Sequence, residues 1–393
     1  MSFHFPVRLH HLSSGLVAVL VGYTSSAAII FQAASSAGAT PAQLGSWMTA
    51  LGLGMGATTL GLSWYYRAPI LTAWSTPGAA LLITSLHQVT MAEAIGAFIL
   101  CAMLLMVAGF SGLFARLMHR LPLSLAAAML AGILLRFGLD LFHALEQAPW
   151  LVGSMLLLFL LLKRRMPRYT LALVLLLGIA LAAASRQLQP LPTMQWLQLQ
   201  WTAPVFSWQA LLGVALPLFV VTMSSQNLPG IAVLRSHGYG DVPISPLIGC
   251  SGLANLLLAP FGCFALNLAA ITAALCMTEQ ADIEPRRRYL AACCAGGLYL
   301  LTGVLGASVA GILASLPAPL IMAIAGMALL TTLGNSLLQS LQQEPEREAA
   351  LLTFLVTASG IQFAGIGSPF WGLLGGSAVL MASRYHRRHS TTG

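Results

Sequence analysis

The residues best placed for chemistry in this chain are hydroxyls, amides and aromatic rings set inside apolar sequence. Thr72, Trp74, Ser75, Thr76 and Gly78 stand together in Ala68–Leu82, APILTAWSTPGAALL, a stretch that interrupts its own helix. Pro69 blocks an early helix, Ser75 or Thr76 can cap a later one, and Pro77 suits its first position. The expected product is a short extended piece leading into a half-helix. A matching interruption, Ala259–Ala273, APFGCFALNLAAITA, begins 191 residues further on, with Asn267 before a small-residue helix much as Thr76 is in the first. Each half-helix N-terminus carries unpaired N–H groups and roughly half a positive charge, so two of them together favour an anion.

Around these breaks the sequence offers a binding set. In the extended piece Thr72, Trp74 and Thr76 alternate to one face, and Ala73 and Ser75 to the other. Trp74 either anchors helices against each other or stacks on an aromatic ligand, and Tyr23 has the same two readings. Gln226 and Asn227, in the polar run Thr222–Gly230, either hold a carboxylate directly or bond the broken backbone of the interrupted segments. The substrate-binding residues expected are therefore Tyr23, Thr72, Trp74, Ser75, Thr76, Gly78, Gln226, Asn227 and Asn267. Most of the ten acidic residues fall between apolar runs; Glu93, at the start of one, is the proton-coupling candidate. Its alternative role is a helix-end carboxylate held by the macrodipole. Arg136 lies 15 residues after Leu121, about 22 Å along a helix, where it snorkels or guards an anion's entrance.

The elements that position these residues are membrane helices. Hydrophobic residues make up 58% of the 393 and charged residues 7%, against roughly 25% charged in soluble domains. The mean hydropathy is +0.84. Runs of about 20 apolar residues mark helical spans, and the ten-residue alternation of a transmembrane barrel is missing. Spans are expected near 13–37, 42–65, a broken one at 69–86, 91–114, 121–142, 149–163 and 168–186, then 207–234, 245–259, a second broken one at 260–277, 288–313, 317–340, 347–363 and 367–383. This is an all-α integral membrane protein of about 14 spans, with short extended pieces in the third and tenth.

An odd number of spans in each half makes a seven-plus-seven repeat inverted, and interrupted segments in corresponding places point to a binding site between the halves. With both termini in the cytoplasm, Arg67, Arg116, Arg120, Lys163 to Arg165, Arg168, Arg235, Arg286 to Arg288, Arg347 and the Arg384–Arg388 tail fall inside, following the positive-inside rule, and only Arg136 and Arg186 do not fit. The net charge of +8 thus reports topology, not nucleic-acid binding. The six cysteines lack metal-ligand spacing, so neither a metal nor a cofactor is expected. Ser185–Ser207, with Pro190, Pro192 and Pro204, joins the halves as an outer linker.

The sequence excludes soluble enzymes: it has no phosphate loop after a strand, no HExxH, no GxSxG elbow and no paired carboxylates in a span. The run TAWSTPGAALL, Ser124–Gly138, LPLFVVTMSSQNLPGIAVL and the late VTASG…GIGSPFWGL together resemble the bacterial benzoate:proton symporter family over essentially the whole chain. That family is similar in architecture to nucleobase permeases and sulfate-type anion transporters. The resemblance implies a core of residues 13–114 and 207–313 (spans 1–4 and 8–11) and a gate of residues 121–186 and 317–383 (spans 5–7 and 12–14). Nucleobase permeases carry carboxylates in the eighth and tenth spans; by position, Gln226 and Leu266 stand there, as suits an anionic ligand. The resemblance implies a secondary transporter carrying benzoate, or a similar aromatic carboxylate, with a proton across the bacterial inner membrane into the cytoplasm. The alternative is a transporter or channel for another organic or inorganic anion. Partners expected are that substrate, protons and the lipid bilayer, with a homodimer allowed and no nucleic acid.

Overall fold

A computed structural model describes residues 7–87, 89–112, 123–167, 169–190 and 193–390, the last seven by backbone alone. Arg116, Arg120 and Arg168 lie outside the described residues, and so do the side chains of the basic tail. The first half contains α1 (Leu9–Ser36), α2 (Pro41–Tyr66), strand β1 (Thr72–Trp74), α3 (Thr76–Ser85), α4 (Met91–Phe110), α5 (Leu123–Gln147), α6 (Pro149–Leu162) and α7 (Thr170–Ala184). The second contains α8 (Trp208–Ser236), α9 (Ile244–Leu258), β2 (Leu266–Leu268), α10 (Ile271–Cys276), α11 (Tyr289–Val304), α12 (Gly306–Ala314), α13 (Ala318–Leu341), α14 (Arg347–Ser359), the strands β3 (Gln362–Phe363) and β4 (Ile366–Gly367), and α15 (Ser368–Ser390).

Among the described residues six helices are long and apolar enough to cross a membrane, and α11 with α12 makes a seventh span bent by 65°. The others are shorter, and packing supplies what length does not: α1 lies on α3, α10 and α11, α2 on α11 and α12, α4 on α9, and α5 on α13 and α14. Small residues set these approaches, the usual device where lipid removes the hydrophobic drive between helices. A Cβ on Gly52 would stand 2.5 Å from Gly303 Cα, and one on Gly109 2.2 Å from the Gly249 nitrogen.

Helix α8 is not regular throughout. It contains two π turns, Leu211–Ala215 and Met223–Asn227. Pro217 and Pro229 account for both: each lacks an N–H and crowds the carbonyl four residues earlier, at Gly213 and Ser225, inside the respective π turn. Ser225 Oγ donates to the Val221 carbonyl at 2.5 Å and Ser224 Oγ to that of Val220 at 2.8 Å, which satisfies backbone acceptors the widened turn disturbs.

One expectation changes. Residues 347–363 are not one helix: α14 ends at Ser359 with Gly360 at φ +68°, and a hairpin follows. Ala364 (φ +54°) and Gly365 (φ +73°) form its two-residue turn, the left-handed pair that suits tight hairpins. The outer linker between the halves is held in place. It is pinned across the ends of other spans, Leu197 N–H donating to the Val304 carbonyl (2.8 Å), Thr202 N–H to that of Pro260 (2.9 Å) and Val205 N–H to that of Ala92 (2.9 Å).

Candidate functional site at the paired breaks

The two interruptions meet. β1 and β2 pair antiparallel in the register Thr72↔Leu268, Ala73↔Asn267 and Trp74↔Leu266, extended by Ser75 N–H to the Ala265 carbonyl (3.0 Å) and Ala269 N–H to the Leu71 carbonyl (2.9 Å). Backbone freed from two helices in an apolar interior needs partners, and here each break supplies the other's. The two extended pieces thus join directly, backbone to backbone, just ahead of their half-helices.

The equivalence of Thr76 with Asn267 does not hold. Asn267 lies in mid-strand opposite Ala73, and α10 begins four residues later, at Ile271. The second break is longer because Ala259–Phe261 form a 3-10 turn and Gly262 turns the chain at φ +96°. On the first break Ser75, not Thr76, is the cap: its Oγ accepts from Gly78 N–H at 2.9 Å, with Pro77 in the first turn. Gly78 is committed to packing, since a Cβ there would come within 2.8 Å of Leu218 Cδ1 on α8. Thr76 is half-buried at the first turn of α3 and its hydroxyl makes no hydrogen bond with described residues.

Residues that sequence reasoning passed over hold the sheet. Thr72 Oγ1 lies 2.6 Å from Thr58 Oγ1 and 3.0 Å from Thr59 Oγ1, and Ser63 Oγ brackets Ile70 by donating to its carbonyl (2.7 Å) and accepting from its N–H (3.1 Å). Asn255 does the same for Leu266, its Oδ1 accepting at 2.6 Å and its Nδ2 donating at 3.0 Å. Asn227 Oδ1 accepts from Leu268 N–H (3.1 Å) while its Nδ2 donates to Asn267 Oδ1 (2.8 Å). Asn227 therefore takes the backbone-bonding alternative, and Thr72 is turned into α2. Polar residues isolated in apolar helices, as Ser63 and Asn255 are, were the available signal.

Trp74, 3% exposed, donates its indole N–H to Ser26 Oγ at 2.7 Å, and its ring meets Tyr23 edge-on at a centroid distance of 4.7 Å. Tyr299, also unsuspected, lies 6.3 Å from Tyr23. A Cβ on Gly22 would stand 3.2 Å from Tyr299 Oη and 3.6 Å from Thr272 Cγ2, so α1, α10 and α11 converge at this point. Three buried polar atoms here lack a well-formed hydrogen bond among the described residues: Asn267 Nδ2, Tyr23 Oη, whose neighbour is Thr302, and Thr272 Oγ1, whose neighbour is Tyr299. Orphaned buried groups cost about 1–3 kcal/mol each and call for an explanation. All three can donate a hydrogen bond, and a carboxylate accepts several. Gln226 is half-buried in the second π turn of α8, with its amide unbonded to described residues.

Glu93 stands elsewhere. Its carboxylate Oε2 accepts from Thr90 N–H (3.0 Å) and Thr90 Oγ1 (2.8 Å), and Thr90 Oγ1 accepts from Glu93 N–H (3.3 Å), a capping box opening α4. That geometry is the one expected of a helix-end carboxylate. At the far end of α1, Asp282 Oδ2 lies 2.8 Å from His11 Nε2 and 3.4 Å from His10 Nε2. Burial works to raise the Asp282 pKa, but hydrogen bonds from the Glu284 amide and from the two histidines outweigh it and hold it at about 2. His11 Nδ1 accepts from Arg8 N–H at 2.9 Å, so Nε2 carries the proton. With no lone pair free on that nitrogen, the His–His–Asp group ties α1 to the segment after α10 instead of offering a metal site.

The chain is 52% identical over 373 residues to the inner membrane protein YdcO of Escherichia coli K12, covering 93% of each. It is 39% identical over 361 residues to the benzoate membrane transport protein of Acinetobacter baylyi, covering 92% of this chain and 91% of that one. Its fold matches the transmembrane domain of the cyanobacterial bicarbonate transporter BicA (TM-score 0.63, 14% identity, 95% of this chain and 98% of that domain). It also matches SLC26A9 (TM-score 0.64, 16% identity, 96% of this chain), of which it spans 65%. The family described as benzoate membrane transport protein, BenE, matches residues 6–382, and the chain belongs to that family.

Proposed function

We propose that this protein is a secondary transporter that carries an aromatic carboxylate, benzoate or a close relative, across the inner membrane together with a proton. The observation that carries the reading is the set of three donors without a well-formed hydrogen bond among the described residues, Asn267 Nδ2, Tyr23 Oη beside Thr302 and Thr272 Oγ1 beside Tyr299, next to the Tyr23–Trp74 ring pair at the joined breaks. Such a site offers hydrogen bonds to a carboxylate and aromatic edges to a ring, with no carboxylate of its own to repel an anion. Thr76 and Gln226, whose polar groups are unbonded to described residues, complete the substrate contacts in this reading. Thr72, Ser75, Gly78 and Asn227 build the scaffold behind them.

The inverted repeat is supported by how the helices pair. Counting α11 with α12 as one bent span and each strand with its half-helix gives fourteen spans, and a shift of seven exchanges the packing pairs. The contact of α2 with α11 exchanges with that of α9 with α4, α1 with α10 exchanges with α8 with α3, and α6 with α7 exchanges with α14 with α15. The β1–β2 and α5–α13 pairs map onto themselves. We assign residues 13–114 and 207–313 to a core that holds the substrate and 121–186 and 317–383 to a gate against which it moves. The basic residues Arg67, Lys163 to Arg165, Arg235, Arg286 to Arg288 and Arg347 then share the cytoplasmic side with both termini.

The test is calorimetric titration of the purified protein. Benzoate should bind and the neutral isostere benzamide should bind at least about tenfold more weakly, since hydrogen bonds to a charged group are worth roughly 1.5–3 kcal/mol each. Gln226→Glu should abolish benzoate binding, whereas Gln226→Ala should only weaken it. Equal affinity for the acid and the amide, or full benzoate binding by a folded Gln226→Glu protein, overturns the reading.

A further inference from the structure

A second place in the molecule is built for an anion. Arg136, the fourteenth residue of α5, is exposed and makes no ion pair or hydrogen bond with any described residue; Asp140, one helical turn further on, does not pair with it. A cation on a membrane span left without a partner asks for a functional explanation. Arg136 lines a cavity of about 210 Å³ shared by the end of α3, α5, the end of α14 and the start of α15. His87 lines it too, and no Asp or Glu does. On its inner wall Thr357, 5% exposed, holds a hydroxyl with no hydrogen-bond partner among the described residues. The volume is below the about 300–1,000 Å³ of drug-sized sites, and suits an acid with one ring.

The cavity lies on the seam between the segments assigned above to core and gate. Along α14, thirteen residues starting at the basic Arg347 end, its floor is reached after about 20 Å, so it opens on the side opposite that end. We propose that this cavity is an outer vestibule in which Arg136 captures the carboxylate of the incoming substrate before it passes to the β1–β2 site. The inference rests on the transport reading for its ligand, but not for its charge preference. A fixed cation in a low-dielectric recess concentrates anions at its mouth, and a guanidinium meets a carboxylate in bidentate fashion.

Two measurements on the full-length chain separate the claims. In the first, Ser359→Cys places a thiol on the cavity rim, and its modification in detergent by anionic and cationic methanethiosulfonates is read by peptide mass. The anionic reagent should react about threefold faster or more, and this preference should vanish in Arg136→Gln, while a thiol at Ser236→Cys should show no dependence on Arg136. A preference indifferent to Arg136 overturns the vestibule. In the second, benzoate uptake by whole cells expressing Arg136→Gln should need an about tenfold higher external concentration for half-maximal rate, with the plateau kept and Arg136→Lys partly restored. An unchanged half-saturating concentration overturns the capture role. If the wild type takes up no benzoate while the labelling preference still depends on Arg136, the benzoate reading falls and the vestibule stands as a site for another anion.

Discussion

Residue by residue, what this chain does with its polar groups divides into building and waiting. Asn227, Asn255, Thr58, Thr59 and Ser63 spend their hydrogen bonds on the backbone of the two breaks, and Ser75 and Thr90 spend theirs on helix ends. Asn267 and Thr272 are buried and Tyr23 is half-buried, each with a polar atom that makes no well-formed hydrogen bond among the described residues, and Gln226 and Thr76 are half-buried and unbonded to described residues. The sequence shows which residue types are present but not which are already engaged. Asn227 and Gln226 are neighbours in one polar run, and only the π turn and the position of β2 separate the scaffold amide from the free one. Glu93 shows the same limit: Thr90-x-x-Glu93 is a capping-box pattern in plain sequence, and its geometry assigns the carboxylate to α4. Since glutamine serves the same box, Glu93→Gln should keep both thermal stability and uptake driven by a pH gradient, while Thr90→Ala should cost about 1 kcal/mol. Uptake that survives as exchange but no longer accumulates substrate in Glu93→Gln would make Glu93 the proton carrier after all.

At the scale of elements, the broken spans were legible because proline is an unambiguous signal: Pro69 and Pro77 bound the first extended piece, and Pro260 announces the second. The pairing of β1 with β2 was not, because a three-residue strand has no periodicity to read and its partner lies 194 residues away, Trp74 opposite Leu266 and Thr72 opposite Leu268. The three-residue slip between the sequence match and the observed register comes from the turn at Gly262. That glycine is required twice, for φ +96° and because a Cβ would fall 1.9 Å from Trp47 Cδ1. Trp47 is itself buried and packed edge-on against Phe98 at 5.3 Å. Gly262→Ala should therefore cost more than the roughly 1–2 kcal/mol of a left-handed residue alone and should shift β2 relative to β1. The check is a thermal melt together with benzoate affinity; a melt within a degree of the wild type would show that the break is not held by this turn. The hairpin after α14 escaped the sequence because its apolar residues continue the helix's composition across Gly360.

For the molecule as a whole, hydropathy, charge asymmetry and two proline-led breaks were enough to read a multi-span helical membrane protein with its candidate site at the breaks, and the family match bears out the resemblance drawn from TAWSTPGAALL and its companions. The proposed seven-plus-seven division rests on packing pairs that exchange under a shift of seven spans, information carried by contacts and barely present in the residues. If the joined breaks hold the substrate between a core and a gate, the motion that exposes them must be coupled to a driving gradient. The most direct test is uptake of labelled benzoate into proteoliposomes with an imposed pH gradient, acid outside. The account predicts accumulation above the external concentration, abolished by a protonophore and by Gln226→Glu. Benzoate that equilibrates passively to the same level with and without the gradient, or that does not enter at all, contradicts it.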